Sequence, residues 1–275
     1  MKAGFYVPNF GCCGDAEVLA DLAHEAEESG WDGMFVWDHL QVIEPTADPW
    51  IALTAMALRT SSIRLGTLVT PVPRRHIAKL AREVSTLDRL ANGRMILGAG
   101  AGYALLPDYS AFGDVTDARV RAARLDEGLE VLAALWSGEP VEHRGSHFTV
   151  STEGFAPPVQ RPRVPVWTAA THSTVTPIER AARWDGMICA ARYGLEVEAA
   201  DVQDMVAAVS GHRAEAGLCE PFDVIRFGQT ADASDVTTAS ACEEAGATWW
   251  MEYTFPTLTT LVQTRERLHK GPPRL

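Results

Sequence analysis

The chain has 275 residues, of which 47% are hydrophobic and 22% charged. This is an ordinary globular composition; it excludes disordered, collagen-like and coiled-coil chains, and the length admits one large α/β domain. With 24 Lys and Arg against 36 Asp and Glu, the formal net charge of −12 repels nucleic acid and anionic bilayers alike, so the expected partner is a small molecule, not nucleic acid and not a membrane.

The opening MKAGFYVPNFG meets Pro8 and Asn9 before an export-type apolar segment can form, and no apolar run approaches the ~18 residues of a membrane span. Neither targeting nor insertion is expected. The β-rich run 3–7 is followed by a helical pattern through Val18, Leu19, Leu22, Ala23 and Ala26 that stops at Gly30. Strand 33–37 comes next, then the apolar stretch from Trp50 to Leu58, strand 63–69, and a helix carrying Ile77, Leu80, Ala81, Val84 and Leu87 that ends at Asn92-Gly93. Strand 94–100 precedes a helix around 117–137. Alternation at 147–150 and the prolines Pro157, Pro158, Pro162 and Pro165 then predict an insertion over 138–165, a small hairpin and an extended strap. Strands 164–170, 186–191, 222–228 and 248–253 follow, with helices around Ile178 to Ala182 and Val202 to Val209, and a last helix from Leu258 to Leu268. Eight strands joined by long crossovers close most simply into a (β/α)8 TIM barrel, a single domain over 1–275; an open doubly wound sheet is the alternative.

In such a barrel the chemistry lies at the C-terminal strand ends. Asp38-His39, after the second strand, is the sharpest pair, because an imidazole there can donate to a carbonyl-rich ring or exchange a proton near neutrality. The plainer reading makes Asp38 a turn cap and His39 a rim filler. Gly98 to Gly102 lacks the immediate helix of a dinucleotide fingerprint, since Pro107 and 109–113 intervene; Gly100, Ala101 and Gly102 either admit a flat ligand or pack tightly at the rim. Thr171, His172, Ser173 and Thr174 lead into a helix, as an anion-binding N-terminus or an ordinary N-cap. Arg74 and Arg75 add positive charge after the third strand, and Arg192-Tyr193 ends the sixth. Five cysteines, Cys12, Cys13, Cys189, Cys219 and Cys242, with no CxxC, fit a reducing cytoplasm. The strand ends carry no HxH, HExxH or carboxylate cluster, so no metal site is expected.

GWDGMFVWDHL (30–40), the long segment SIRLGTLVTPVPRRHIAKLAREVSTLDRLANGRMILGAGAGY (62–103) and RAARLDEGLEVLAALWSGEPVEHRGSHF (121–148) resemble the bacterial luciferase-like monooxygenase superfamily, especially its branch using the deazaflavin coenzyme F420. PPVQRPRVPVW (157–167) and AGATWW (245–250) support this. The resemblance implies a TIM barrel with a deazaflavin, or as second choice FMN, over the strand C-termini and its phosphate near the helix after the fifth strand. It implies that His39 faces the ring and that a bulged non-prolyl cis peptide at Thr67-Leu68 supports it. A homodimer paired through helices near the second and third strands is likewise implied.

The chain departs from the sugar-phosphate dehydrogenase relatives at Val42 or Ile43, where they carry Trp, and at Tyr103, where they carry Glu. Ala169-Ala170 replaces a glycine pair, and Trp184-Asp185-Gly186 a Gly-Asp-Gly. The leading expectation is an oxidoreductase in which His39 or Tyr103 serves as proton donor and the 138–165 insertion excludes water. A cofactor-binding barrel without turnover and a metal-assisted hydrolase are the rivals.

Overall fold

The computed structural model describes residues 1–41, 44, 46–103, 107–191, 196–255 and 259–275. Its strands are β1 (Lys2–Val7), β2 (Gly33–Val36), β3 (Arg64–Pro71), β4 (Met95–Gly100), β5 (Val141–Arg144), β6 (Thr149–Thr152), β7 (Val166–Thr171), β8 (Gly186–Ala190), β9 (Asp223–Gly228) and β10 (Trp249–Tyr253). All but β5 and β6 form a closed barrel in the order β1-β10-β9-β8-β7-β4-β3-β2. Every neighbouring pair for which a register is resolved is parallel. Each of the eight predicted runs is therefore a barrel strand, and the open sheet is excluded.

The connecting helices are α1 (Ala16–Glu28), α2 (Pro49–Arg59), α3 (Ile77–Leu90), α4 (Ala118–Trp136), α5 (Val175–Ala182), α6 (Ala199–Glu215), α7 (Thr237–Glu244) and α8 (Leu261–His269). Helix α7 has no counterpart in the predicted pattern, because TTASACEE buries only Ala239 and Cys242 and so shows no apolar stripe. The expected start of the last helix at Leu258 lies outside the described residues. No helix among the described residues is long and apolar enough to cross a membrane.

Two apolar layers hold the barrel. Leu19, Leu22, Met34, Leu53, Leu65, Leu80 and Leu129 belong to the shell between strands and helices. The interior is filled by alternate strand residues, among them Tyr6, Phe35, Ile96, Trp167, Ile188, Phe227, Trp249 and Met251. Ring contacts knit this interior: Trp167 meets Trp249 at 5.2 Å, and Phe35 meets Trp167 at 5.4 Å.

The seam between β3 and β4 is unusually close. A Cβ at Gly66 would collide with the Ile96 carbonyl oxygen, and one at Gly98 with that of Thr67. The register then slips, with Thr67 opposite Leu97 but Thr70 opposite Ala99, so that two residues face one. The non-prolyl cis bond lies inside this bulge, at Leu68–Val69. That corrects the expected Thr67-Leu68 position by one residue, because the residues the ladder leaves over are Leu68 and Val69.

The 138–165 insertion is seated against α3 and α4. Its β5–β6 hairpin is fixed to Glu127 of α4, which accepts from the backbone N–H groups of His147 and Phe148 and pairs with His143. Its strap is fixed to Asp88 of α3, which accepts from Val159 N, Gln160 N and Gln160 Nε2.

A single carboxylate also fastens the α2–β3 turn. Glu27, on α1, accepts from the backbone N–H groups of Ser61, Ser62 and Ile63, the last at 2.9 Å. Burial pushes its carboxyl up, but the bonds from Ile63, Ser62 and Ser61 outweigh that and hold it at about 2, below the ordinary 4.5. A depressed folded-state value stabilises above pH 4.5 and is lost as pH falls through about 2. Glu27→Gln should remove that part of the acid limb of the stability curve, measured by urea midpoints between pH 5 and pH 2; a limb unchanged from the parent would show that the clamp contributes nothing.

Candidate active site

The C-terminal mouth of the barrel is asymmetric. Strands β9, β10, β1 and β2 line it with rings: Phe227, Tyr253, Tyr6 and Trp37, with Phe10 and Phe255 just beyond. Tyr6 stacks on Trp37 at 5.6 Å and meets Phe227 at 5.2 Å, while Trp37 meets Phe10 at 5.3 Å and Phe255 at 6.1 Å. Strands β3, β4, β7 and β8 turn smaller residues inward near their ends, Val69, Gly98, Gly100, Ala169 and Ala190, with β7 closing on Thr171. The Tyr6 hydroxyl crosses the mouth and donates to the Leu68 carbonyl at 2.6 Å, joining the ring wall to the bulge.

His39 stands beside this wall, its ring 5.5 Å from Trp37. Its Nδ1 lies 2.6 Å from Oδ2 of Asp108, and Oδ1 of the same carboxylate accepts from the backbone N–H groups of Leu40 and Gln41. A carboxylate accepts only, so Nδ1 carries the proton and Nε2 is left for the mouth. Sequence reasoning missed Asp108. It lies in the loop after β4, where no periodicity marks a residue, and the turn signal of Pro107 was its only trace.

Asp38 is held by two arginines. It is 2% exposed, and its carboxylate binds Arg74 at 2.9 Å and also Arg75, while the Arg74 guanidinium reaches the Asp38 carbonyl oxygen as well. It is the counter-ion that ties the end of β2 to the turn after β3, with its Oδ2 buried and without a hydrogen-bond partner. Thr67 is fully buried in the seam, donating to the Gly98 carbonyl at 3.2 Å and accepting from Thr70 at 2.9 Å; Leu68 belongs to the barrel interior.

The glycine-rich turn is fastened from within. Tyr109 donates to the Ala101 carbonyl at 2.8 Å, and Arg121 donates to the carbonyls of Ala101 and Gly102 while stacking on Tyr109 at 4.8 Å. Gly100 has Val69 where its Cβ would be, and Gly102, at φ +80°, has Tyr109 there. These positions are glycine because protein atoms fill the space. Tyr103 is 55% exposed and makes no hydrogen bond among the described residues. Arg192, Tyr193, Val42 and Ile43 lie outside them.

At the α5 N-terminus, Thr174 bonds the Thr171 carbonyl and does not cap the helix, so the ordinary N-cap reading fails. Ser173 sits at φ +62° with its hydroxyl 3.3 Å from His172, and His172 stands 3.5 Å from Asp201 and 4.0 Å from Asp204. The first N–H groups of α5 have no side-chain cap, and His172 stands between them and the two carboxylates. Near β10, the Tyr253 hydroxyl donates to Glu196 at 2.6 Å; burial, then that carboxylate, pushes its phenol up to about 12. Among the described residues, no group of three His, Cys, Asp or Glu side chains is placed to hold a metal ion.

Residues 9–271 of this barrel match the luciferase-like monooxygenase family. The chain belongs to that family. It is 36% identical over 187 residues to the F420-dependent glucose-6-phosphate dehydrogenase of Kineococcus radiotolerans, a match covering 65% of this chain and 54% of the relative. The chain thus spans about half the length of the curated relatives it matches. Among solved structures, a monooxygenase from Streptomyces bottropensis superposes with a TM-score of 0.79 at 21% identity, covering 98% of this chain and 96% of the other. The coenzyme F420 dependent tetrahydromethanopterin reductase of Methanopyrus kandleri gives a TM-score of 0.79 at 17% identity, with 98% and 96% covered.

Because Gly102 combines positive φ with the Tyr109 ring, Gly102→Ala should destabilise by about 1–3 kcal/mol and lower the melting temperature by several degrees. A melting temperature within one degree of the parent would show that the turn yields freely.

Proposed function

We propose that this protein is an oxidoreductase using coenzyme F420, with FMN as second choice, for hydride transfer or monooxygenation of a small organic substrate. The observation that carries the reading is the mouth itself: a wall of rings faces strand ends without bulk, and a histidine with a fixed tautomer stands beside them. A flat tricyclic ring fits this shape. Trp37 Nε1–H and Asn9 Oδ1 are buried without partners, a donor and an acceptor for the polar edge of such a ring. When bound, the deazaflavin supplies the hydride chemistry.

The chain's own groups do the rest. The ring wall and the bulge hold the cofactor flat, while the open N–H groups before α5, with Thr171, Ser173 and His172, receive its phosphate. His39 Nε2 takes the substrate hydroxyl proton as a hydride leaves carbon, or returns it in the reverse direction, and Asp108 holds the imidazole and stabilises its charged form. Tyr103, on the exposed rim, is the second proton-donor candidate. The mouth gives no ground for preferring glucose 6-phosphate, since Tyr103 stands where those relatives carry Glu. Five unpaired thiols support a reducing, cytoplasmic setting. A second copy of the chain is proposed to cover α2, where Ile51 and Leu58 are 66% and 70% exposed on one face.

Titrating the purified protein with each cofactor, oxidised and reduced, should show tighter binding of the deazaflavin. FMN binding tenfold tighter, about 1.4 kcal/mol, would reverse the order. His39→Asn should cut saturated turnover on the order of 10²-fold with a stability change under about 1 kcal/mol, and Asp108→Asn should cut it by roughly tenfold. A destabilised but fully active His39 variant would remove His39 from the chemistry. Light scattering should give the mass of two chains for the parent and of one for the double variant Ile51→Glu, Leu58→Glu; one chain for the parent refutes the dimer.

A further inference from the structure

A second cleft, of about 540 Å³, lies outside the barrel between the start of α3, the body of α4 and the β5–β6 hairpin. Its charged lining comes from Arg124 and from Arg75, which also pairs with Asp38, with His76 and His147 beside them, and no Asp or Glu contributes. In a chain of net charge −12 this is a local reversal of sign. Arg124 makes no ion pair among the described residues, and the Nε atoms of Arg124 and Arg75 are buried without a hydrogen-bond partner. The neighbouring carboxylate, Glu127, is already taken up by His143 and by the His147 and Phe148 backbone.

Two further features favour an anion. Helix α3 runs for 14 residues, has no acidic side chain in its first turn, and opens into the cleft at Ile77 and Ala78, whose N–H groups have no acceptor within the helix. Apolar surface shares the rest of the lining with Thr149, Ser151 and Thr152: Phe148 lies beneath Arg124 at 5.7 Å and Phe155 beneath Arg82 at 4.4 Å. Bare inorganic phosphate would leave that surface uncovered, whereas an organic anion uses both halves of the cleft.

We propose that this flank cleft is a second ligand site, separate from the barrel mouth, for a small organic phosphate with an aromatic or aliphatic body. The phosphate lies between Arg124, Arg75 and the α3 N-terminus, and the body lies on Phe148 and Phe155. The proposal does not rest on the cofactor reading.

Phenyl phosphate is the probe, with inorganic phosphate and phenol as its separate halves, titrated calorimetrically into the protein with and without saturating deazaflavin. Saturable binding of phenyl phosphate, tighter than either half and unchanged by the cofactor, is expected. Arg124→Gln should weaken it at least tenfold and Arg124→Lys by much less. Thr149→Glu, on the exposed lip of the cleft, should abolish it with an unchanged melting temperature. Absence of saturable binding, displacement by the deazaflavin, or equal affinity in Arg124→Gln and Thr149→Glu would overturn the proposal, as would inorganic phosphate binding as tightly as the phenyl ester.

Discussion

The close approach of β3 to β4 is the constraint on which the mouth depends. Gly66 and Gly98 let each strand press on a carbonyl oxygen of the other, and the ladder cannot continue in register beyond that point. Two residues, Leu68 and Val69, are left over opposite one. The Leu68 carbonyl then turns to where the Tyr6 hydroxyl reaches it. The ring wall, the bulge and the bare edge of β4 are thus one arrangement: with side chains on those glycines, β3 stands off, Tyr6 loses its acceptor, and the stack on Trp37 loses its anchor.

The charges of the molecule are organised around the same barrel. Arg94 bonds the carbonyls of Ala57, Thr60, Ile63 and Ala91 beneath the strands, a cation used as a backbone fastener. Glu252 on β10 is nearly inaccessible and satisfied by Arg267, Thr230 and Trp250. Unmatched buried polar atoms occur around the mouth and the flank cleft, at Asn9, Trp37, Arg75 and Arg124, and also on the outer helices, at His24, Trp50 and Arg265.

Much of the fold was legible because buried parallel strands read as continuous apolar runs; RMILGAG and GMICAA need no context to be recognised. Helix α7 was not, since its alanines and threonines carry no stripe. In the site, His39 was visible from its place directly after a strand, but Asp108 was not, because its role depends on a loop folding back across sixty-nine positions of sequence. Tyr6 and Trp37 were hidden inside strands whose apolar runs do not tell inward residues from outward ones. The partners of Asp38 were hidden for a related reason: sequence places it after a strand, but only packing shows that two arginines hold its carboxylate.

That last contact makes the second and third strand–helix units a single inheritable piece. Asp38, Arg74 and Arg75 come from two loops that a designer of chimaeric barrels would exchange separately. A graft that brings in a different β2 loop strands two guanidinium groups, one of them, Arg74, only 1% exposed, without their counter-ion. Recombination between relatives should therefore tolerate crossovers after α3 far better than crossovers within α2, since the former keep both loops from one parent.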